Sequence, residues 1–231
     1  MFLLVILIGF AIISYAVQSK LKSKFKKYSK ITLSSGISGR EAAEKMLKDN
    51  GIYDVKVVSV EGQLTDHYNP ANKTVNLSSE VYNNRSAAAV AVAAHEVGHA
   101  VQHAKAYAFL ELRSALVPLQ NVSAKIINFV FIAMLFGAFA LPQLINPQLA
   151  LMVIIGCYTV FTLFAFITLP VEYDASKRGL AWMTTSGVTT PQEHDMAKDS
   201  LKWAARTYLV AAIASLVTLL YYVMMFLGSR D

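Results

Sequence analysis

The segment most able to do chemistry is residues 95–99, which have the sequence HEVGH. On a helix, positions i and i+4 share one face, so His95 and His99 could bind the same zinc ion. Glu96 lies between them and could act on a water at that metal, as in metal-assisted peptide hydrolysis. The pattern also occurs by chance, but the preceding segment, SAAAVAVAA, predicts a helix with Ser86 as its N-cap. The sequence therefore predicts a zinc-binding helix.

A catalytic zinc ion usually takes three protein ligands, so a third ligand must come from elsewhere. The candidates are the histidine and acidic side chains His67, His103, Glu111, Glu172, Asp174 and His194. His103 lies one further turn along the same helix, and the rise of about 5.4 Å per turn prevents three imidazoles from converging on one ion. The alternative zincin pattern, with a glycine three residues after the second histidine, has Gln102 there instead. We therefore expect His103 to be solvated or to lie behind the ligands, and Glu111, about 18 Å along the axis, to be a surface carboxylate.

Glu172 is the stronger candidate because it follows directly on an apolar stretch that ends near Pro170. Two predicted membrane spans separate Glu172 from His99, so an even number of crossings returns it to the same side. A carboxylate at a membrane boundary is costly to desolvate without a partner. We predict that Glu172 is the third ligand; the alternative is an acidic residue that stabilises a helix start.

Four other residues are candidates for supporting or substrate-binding roles. Asp174 could accept a hydrogen bond from a ligand imidazole and fix its tautomer, or neutralise a neighbouring basic side chain. His67 could line the cleft and stabilise an oxyanion, or simply be exposed. His194 is expected in a surface turn. Arg206 could point at substrate, or snorkel to the membrane interface.

The composition indicates a membrane protein. The chain has 231 residues, a net charge of +6 and a mean hydropathy of +0.44. Its four apolar stretches, each near the roughly 20 residues needed to cross a bilayer, are 2–17, 126–145, 149–170 and 208–227. No charged residue occurs between Ile126 and Val171, which predicts two spans joined by a turn at 142–147. A pair of buried core helices is the alternative, but the chain has little soluble sequence with which to bury them.

The basic residues predict the topology. The first apolar stretch lacks a basic segment before it, and six lysines follow it, namely Lys20, Lys22, Lys24, Lys26, Lys27 and Lys30. This arrangement favours an uncleaved anchor with both chain termini outside and the active site in the cytoplasm. The predicted organisation is an anchor (1–17), a cytoplasmic α+β region (18–125), a transmembrane hairpin (126–170), a cytoplasmic helical segment (171–207) and a last transmembrane helix with a short tail (208–231).

The same lysines favour membrane lipids as a partner rather than nucleic acid, because they adjoin a predicted span and include few interleaved aromatic residues. Cys157, the only cysteine, excludes an intramolecular disulfide and a thiolate zinc site with a second cysteine.

The region before the metal helix predicts a compact α+β unit. Ser38 and Glu41 form a capping-box pattern that opens a helix to about Lys48. Residues 53–60 and 73–77 predict strands, and 66–70 predict a loop. The second strand could offer its edge to an extended peptide, or could only support the metal helix. The metal helix is expected to run to about Phe109 or Val117, with Pro118 kinking or ending it.

The chain also resembles the YugP-type bacterial membrane zinc peptidases, a group of neutral zinc metallopeptidases. The matching stretches are 66–70, 87–103, 169–178 and 204–212. More distantly it is similar to HtpX and the CAAX prenyl proteases, and residues 172–176 resemble the second motif of gluzincins, where a later glutamate completes the zinc site. In those relatives an aspartate follows four residues after that glutamate; here Ser176 stands at that place and Asp174 two residues earlier.

The prediction is a mainly α integral membrane protein with four transmembrane helices and a small gluzincin-like cytoplasmic unit. The resemblance implies a bacterial inner-membrane zinc metallopeptidase that cleaves membrane-associated proteins or peptides. His95, His99 and Glu172 would bind one catalytic zinc ion, and Glu96 would be the general base. The alternative is a non-enzymatic membrane scaffold or assembly factor with a structural metal site. A transporter is less favoured because the spans carry no charged residue.

Overall fold

The computed structural model describes residues 2–140 and 146–229, so most of the predicted turn at 142–147 lies outside the described residues. The described residues are mainly helical, as predicted, and they include a small sheet of three strands where the sequence predicted two. Its elements in chain order are α1 (Phe2–Tyr28), α2 (Gly39–Asp49), β1 (Lys56–Val60), β2 (His67–Asn69), β3 (Thr74–Ser78), α3 (Ser79–Asn83), α4 (Ala87–Ala104), α5 (Ala108–Ala140), α6 (Pro147–Thr185) and α7 (Pro191–Gly228).

Four helices of the described residues, α1, α5, α6 and α7, are long and apolar enough to cross a membrane, the same number as the predicted spans. Helix α4 ends earlier than expected, at Ala104, because Ala106 adopts a left-handed conformation (φ 47°) and breaks the helical path. Helix α5 then begins and continues through Pro118, so the expectation that this proline affects the end of the metal helix was wrong.

The described residues group into two compact units. A helical unit draws on the parts of Met1–Ser14, Leu112–Leu169 and Tyr208–Asp231 that are described. An α+β unit comprises Tyr15–Glu111 and Pro170–Thr207. The helical unit has a small core that includes Ile127, Ile154, Cys157 and Tyr222, while large apolar side chains such as Phe129 remain exposed. Exposed apolar surface of this kind is expected where lipid replaces water as the solvent.

The sheet has the strand order β1-β3-β2, with β1 parallel and β2 antiparallel to β3. Strand β3 is therefore central and paired on both sides, so it supports the structure and offers no free edge. Residues 67–69, which were predicted to be part of a loop, form the edge strand β2. The pairing of β2 with β3 spans only three residues, too few for an alternating apolar pattern to be visible in the sequence.

The core of the α+β unit surrounds α4. Helix α2 begins with the predicted capping box, in which Ser38 and Glu41 satisfy each other's backbone N–H groups. Met46 of α2 and Val75 and Leu77 of β3 are fully buried in the same cluster as Val90 of α4. The metal helix is thus held on several sides by packed side chains, which fixes the direction of the residues it presents.

Candidate metal centre

Helix α4 is built for close packing. Ser86 caps its start by accepting a hydrogen bond from the N–H of Ala89, as predicted. The alanines at 87, 88, 89, 91, 93 and 94 are all inaccessible to solvent. Because alanine combines the best helix propensity with a small side chain, this segment forms a stable helix that neighbouring elements can approach closely.

Helices α4 and α6 approach each other at two glycines. A Cβ atom added to Gly98 would lie 2.5 Å from the carbonyl oxygen of Ala175, and one added to Gly179 would lie 3.0 Å from the carbonyl group of Ala94. The first separation is shorter than real Cβ atoms show, and the second would require the Ala94 backbone to shift slightly, so glycine is required at Gly98 and favoured at Gly179. This contact brings Glu172, on the preceding turn of α6, to the histidines of α4.

The three predicted ligands meet at this contact. The Nε2 atom of His95 lies 3.3 Å from Oε2 of Glu172, and the Nε2 atom of His99 lies 3.6 Å from the same oxygen. One donor atom from each residue lies within 4.8 Å of the others, and no other cluster of three histidine, cysteine or acidic side chains with this spacing occurs in the described part of the chain. Glu172 is 2% exposed, so its charge lies almost fully inside the protein.

These separations fit zinc. Tetrahedral coordination with bonds of about 2.1 Å places donor atoms about 3.4 Å apart, close to the two distances observed. Two imidazoles and one carboxylate are also the donor set of a catalytic zinc site, which keeps the fourth position open. The site needs only small adjustments to hold such an ion.

Each histidine has a hydrogen-bonding partner behind it. Nδ1 of His95 lies 3.0 Å from the hydroxyl of Ser176, and Nδ1 of His99 lies 3.0 Å from Oε1 of Gln102. When these Nδ1 atoms carry the proton and donate it, each Nε2 presents its lone pair to the metal position. Neither partner is a carboxylate, although carboxylates often fill this role.

Gln102 is the centre of a buried network. It is inaccessible to solvent, and its amide nitrogen donates to the carbonyl oxygen of Val171 and to Asp174, each at 2.8 Å. Asp174 in turn accepts a hydrogen bond from Arg178. The predicted contact between Asp174 and a ligand imidazole is therefore indirect, and passes through Gln102. The network also ties α4 to the turn of α6 that carries Glu172.

Glu96 is held from the sheet, and its charge acts on the neighbouring His99. Its Oε2 accepts a hydrogen bond of 3.1 Å from the backbone N–H of Tyr68 in β2, and it is 8% exposed. Strand β2 is held in turn by Asp66, which accepts hydrogen bonds from the N–H (2.7 Å) and hydroxyl (3.2 Å) of Ser78. The edge strand thus fixes the carboxylate that the sequence predicts as general base.

The local charges favour a bound cation. Burial lowers the pKa of His99, but the hydrogen bond to Glu172 and the charges of Glu96 and Glu172 outweigh it and raise the pKa above its usual value. For the carboxyl group of Asp66, burial has the opposite sign and raises the pKa. The hydrogen bonds from Ser78 oppose this increase, and the charge of Glu96 adds to it. The carboxylates create a negative potential that a divalent ion would neutralise.

The remaining predicted residues lie outside the ligand cluster. His67 is exposed, with Nδ1 2.7 Å from the carbonyl oxygen of Thr65. His103 is exposed and forms a 2.8 Å hydrogen bond with the Tyr68 hydroxyl. The guanidinium of Arg206 stacks on Trp203 at 4.1 Å, an arrangement common at membrane interfaces.

Glu111 and His194 also lie apart from the cluster. Glu111 is exposed in the first turn of α5, and His194 lies in the first turn of α7. Gln102 and the backbone of Tyr68 are the site components that the sequence did not single out as functional. The contact between Gln102 and His99 could have been predicted, since Gln102 is three residues after His99 and lies on the same face of the helix.

Comparison with known proteins gives two matches. A model of the family described as "Putative neutral zinc metallopeptidase" matches residues 3–227. The chain is also 41% identical over 220 residues to the "Putative membrane protease YugP" of Bacillus subtilis (strain 168). The matched region covers 95% of this chain and 94% of that protein. No solved structure matches the chain. Both matches include every residue of the ligand cluster and its hydrogen-bonding partners.

Proposed function

The chain belongs to this family of neutral zinc metallopeptidases, as the sequence motifs predicted, and we propose that it is a membrane-embedded zinc endopeptidase. The observation that supports the proposal most is the meeting of His95, His99 and Glu172 at spacings suited to zinc. Three protein ligands leave one position for chemistry, whereas a structural zinc site normally has four. This difference favours an enzyme over a scaffold with a structural metal.

In the proposed reaction, His95, His99 and Glu172 hold the ion. When bound, zinc supplies the Lewis acidity that lowers the pKa of water and polarises a peptide carbonyl. Glu96 accepts the proton of the attacking water and delivers it to the leaving amine. The N–H of Tyr68 keeps the Glu96 carboxylate oriented while it exchanges that proton. Ser176 and Gln102 fix the tautomers of His95 and His99.

The edge strand β2 suggests how a substrate is held. The N–H of Tyr68 points to Glu96 and not to β3, so the outer edge of β2 faces the proposed general base. We propose that an extended segment of substrate donates a backbone N–H to this edge while the N–H of Tyr68 stays with Glu96, which would place a peptide bond over the metal. The substrate-binding edge is thereby assigned to β2, since β3 is paired on both sides.

The proposed substrates are proteins or peptides presented at the cytoplasmic surface of the bacterial inner membrane. The four apolar helices and the lysines at 20–30 support a multi-pass topology with both termini outside and the α+β unit in the cytoplasm. Membrane-impermeant thiol labels tested on Cys157→Ala variants with a cysteine at Lys105 or at Ser229 should modify only the second from outside. Labelling of both positions from the same side would contradict this topology.

The proposal is tested by zinc content and peptide cleavage measured on the same preparations. Wild type should bind about one zinc per chain and cleave an unstructured reporter peptide, and His99→Ala and Glu172→Ala should lose both properties because too few ligands remain. Glu111→Ala, which removes a carboxylate outside the cluster, is the control and should retain both. Full zinc occupancy in Glu172→Ala would remove Glu172 from the site. Zinc binding without cleavage of any peptide by wild type would favour the scaffold.

A further inference from the structure

The α+β unit has a groove that the proposed reaction does not use. It lies between residues 173–185 of α6 and 194–205 of α7 and has a volume of about 660 Å³. Leu180, Leu201 and Ala205 contribute to its lining, which is almost entirely apolar. A volume of this size is typical of sites for small ligands, which are mostly apolar with a few polar groups that orient the ligand.

Three of the residues that line the groove are lysines, alongside hydroxyl-bearing side chains and His194. Lys177, Lys198 and Lys202 all line it, all are exposed, and no carboxylate of a described residue lies within ion-pair distance of them. The acidic residue between the last two, Asp199, is engaged elsewhere: it forms an ion pair with Lys24 and accepts a hydrogen bond from the hydroxyl of Tyr28, both at 2.6 Å. The groove therefore combines an apolar lining with three lysines that form no ion pair with the described residues, although Lys202 lies within the electrostatic reach of Asp199.

An anionic lipid matches this combination. The lining extends 12 residues along α6, about 18 Å, and about 12 Å of it lies between Lys177 and Thr185. This length holds most of one acyl chain, which spans half of a hydrocarbon core about 30 Å thick. Lysine binds phosphate as a point charge, and basic residues beside spans attract anionic headgroups. An extended peptide fits less well, because its backbone N–H and C=O groups would enter a lining that offers them almost no partners.

We propose that this groove is a binding site for one anionic phospholipid, with the phosphate at Lys177, Lys198 and Lys202 and an acyl chain along the apolar lining. Ser176 also lines the groove, and its hydroxyl contacts Nδ1 of His95, so the lipid would lie behind that imidazole. The site would therefore be separate from the substrate position at β2. Lipid binding does not depend on peptide hydrolysis, so the proposal goes beyond the proposed function and can be tested on an inactive protein.

The test is native mass spectrometry of the full chain carrying Glu96→Gln, in detergent with added phosphatidylglycerol or phosphatidylcholine of identical acyl chains. One phosphatidylglycerol should bind each chain, at least tenfold more tightly than phosphatidylcholine. The double variant Lys198→Glu/Lys202→Glu should weaken that binding by more than about 30-fold, because the loss of each lysine near an anionic headgroup costs roughly a factor of five and the glutamates add repulsion.

Two further variants separate the groove from general charge attraction. Lys48→Glu/Lys56→Glu makes the same change of net charge at exposed lysines outside the groove and should bind phosphatidylglycerol as the parent does. Ala181→Trp fills the groove at an exposed position, keeps every lysine, and should abolish binding.

Three results would overturn the proposal. They are equal binding of the two lipids, an equal loss in the control double variant, and unchanged phosphatidylglycerol binding in Ala181→Trp. A co-purifying peptide that Ala181→Trp displaces would identify the occupant as a peptide instead. Circular dichroism spectra identical to the parent's would establish that the variants remain folded.

Discussion

Helices α1 and α4 are both strongly apolar, yet α1 is largely exposed and α4 is largely buried. In α1 no residue of the apolar stretch is buried. Leu4 and Ile12, for example, are 60% and 64% exposed. In α4 the segment from Ala87 to Val101 is almost entirely inside the protein. The difference lies in side-chain volume: leucine, isoleucine and phenylalanine cover a helix for lipid, whereas alanine and glycine let a second backbone approach.

The comparison shows that hydropathy alone does not identify where a helix packs. Small residues at the contact of α4 and α6 allow a carboxylate from one helix to reach two imidazoles on the other. Gly9 in α1 and Gly156 in α6 have no such role, since a Cβ atom added to either would meet nothing within 4 Å. Equivalent changes at the two kinds of position should therefore have different consequences.

The largest effect is expected from Gly98→Ala. The added methyl group would collide with the backbone of Ala175, so α4 and α6 must separate at a cost of about 1–3 kcal/mol. Glu172 would move with α6, and zinc content should fall along with the apparent melting temperature. Gly156→Ala is the matched control and should change neither quantity. Equal effects of the two substitutions would contradict the distinction between the two kinds of helix.

The second largest effect is expected from Gln102→Leu. It keeps the side-chain volume but removes the partner of His99 and two hydrogen bonds to α6. Loss of such a partner typically lowers metal affinity 10–100-fold, which chelator competition can measure. The absorption spectrum of the cobalt-substituted protein should also change, because His99 loses its fixed orientation.

Gln192→Leu, at an exposed position at the start of α7, is the control for that experiment. Its zinc affinity and cobalt spectrum should match wild type. If Gln102→Leu behaved in the same way, the hydrogen bond from His99 would have no part in metal binding.

Ser176→Ala should have a smaller effect. It removes one neutral hydrogen bond to His95, a loss worth about 0.5–1.5 kcal/mol, so zinc affinity should fall roughly 2–10-fold. Ser176→Asp should restore or exceed wild-type affinity, because a carboxylate makes the imidazole a stronger ligand. Ser59→Ala, at an exposed position in β1, is the control. An affinity for Ser176→Asp below that of Ser176→Ala would show that the partner of His95 must be neutral.

The smallest effect concerns pH and Asp66. Its pKa in the folded protein is raised above the unfolded value, so its contribution to stability is fully present below about pH 4 and is lost as pH rises through the folded pKa. Asp66→Asn keeps an oxygen for the N–H of Ser78 but cannot ionise, so the variant does not lose this stability as pH rises. The apparent melting temperature of the variant should therefore increase relative to that of the wild type between about pH 4 and pH 7. A difference that does not vary with pH would contradict the raised pKa.

The proximity of the three proposed ligands could be predicted from the sequence because each left a local or topological signal. His95 and His99 share a helical face within five residues, and Glu172 follows from counting two spans back to the same side. The capping residues Ser38 and Ser86 were also predictable from the sequence, since a cap depends on neighbours within three positions.

Features that depend on distant packing were not predictable in this way. Strand β2 is three residues long and exists because β3 pairs with it. Gln102 gains its role from Val171 and Asp174, about 70 positions away in the chain, and nothing within α4 specifies those partners. The early end of α4 depends on a left-handed alanine, a conformation that the residue type disfavours.

The most direct test of the central claim is the substitution Glu96→Gln, studied with the zinc-loaded wild type as reference. The amide keeps the shape of the side chain and an oxygen for the N–H of Tyr68, but it cannot accept the proton of water. We predict unchanged zinc content and a loss of peptide cleavage of about 10²–10⁴-fold. Cleavage at the wild-type rate with zinc still bound would contradict the assignment of Glu96 as general base and the reaction built on it.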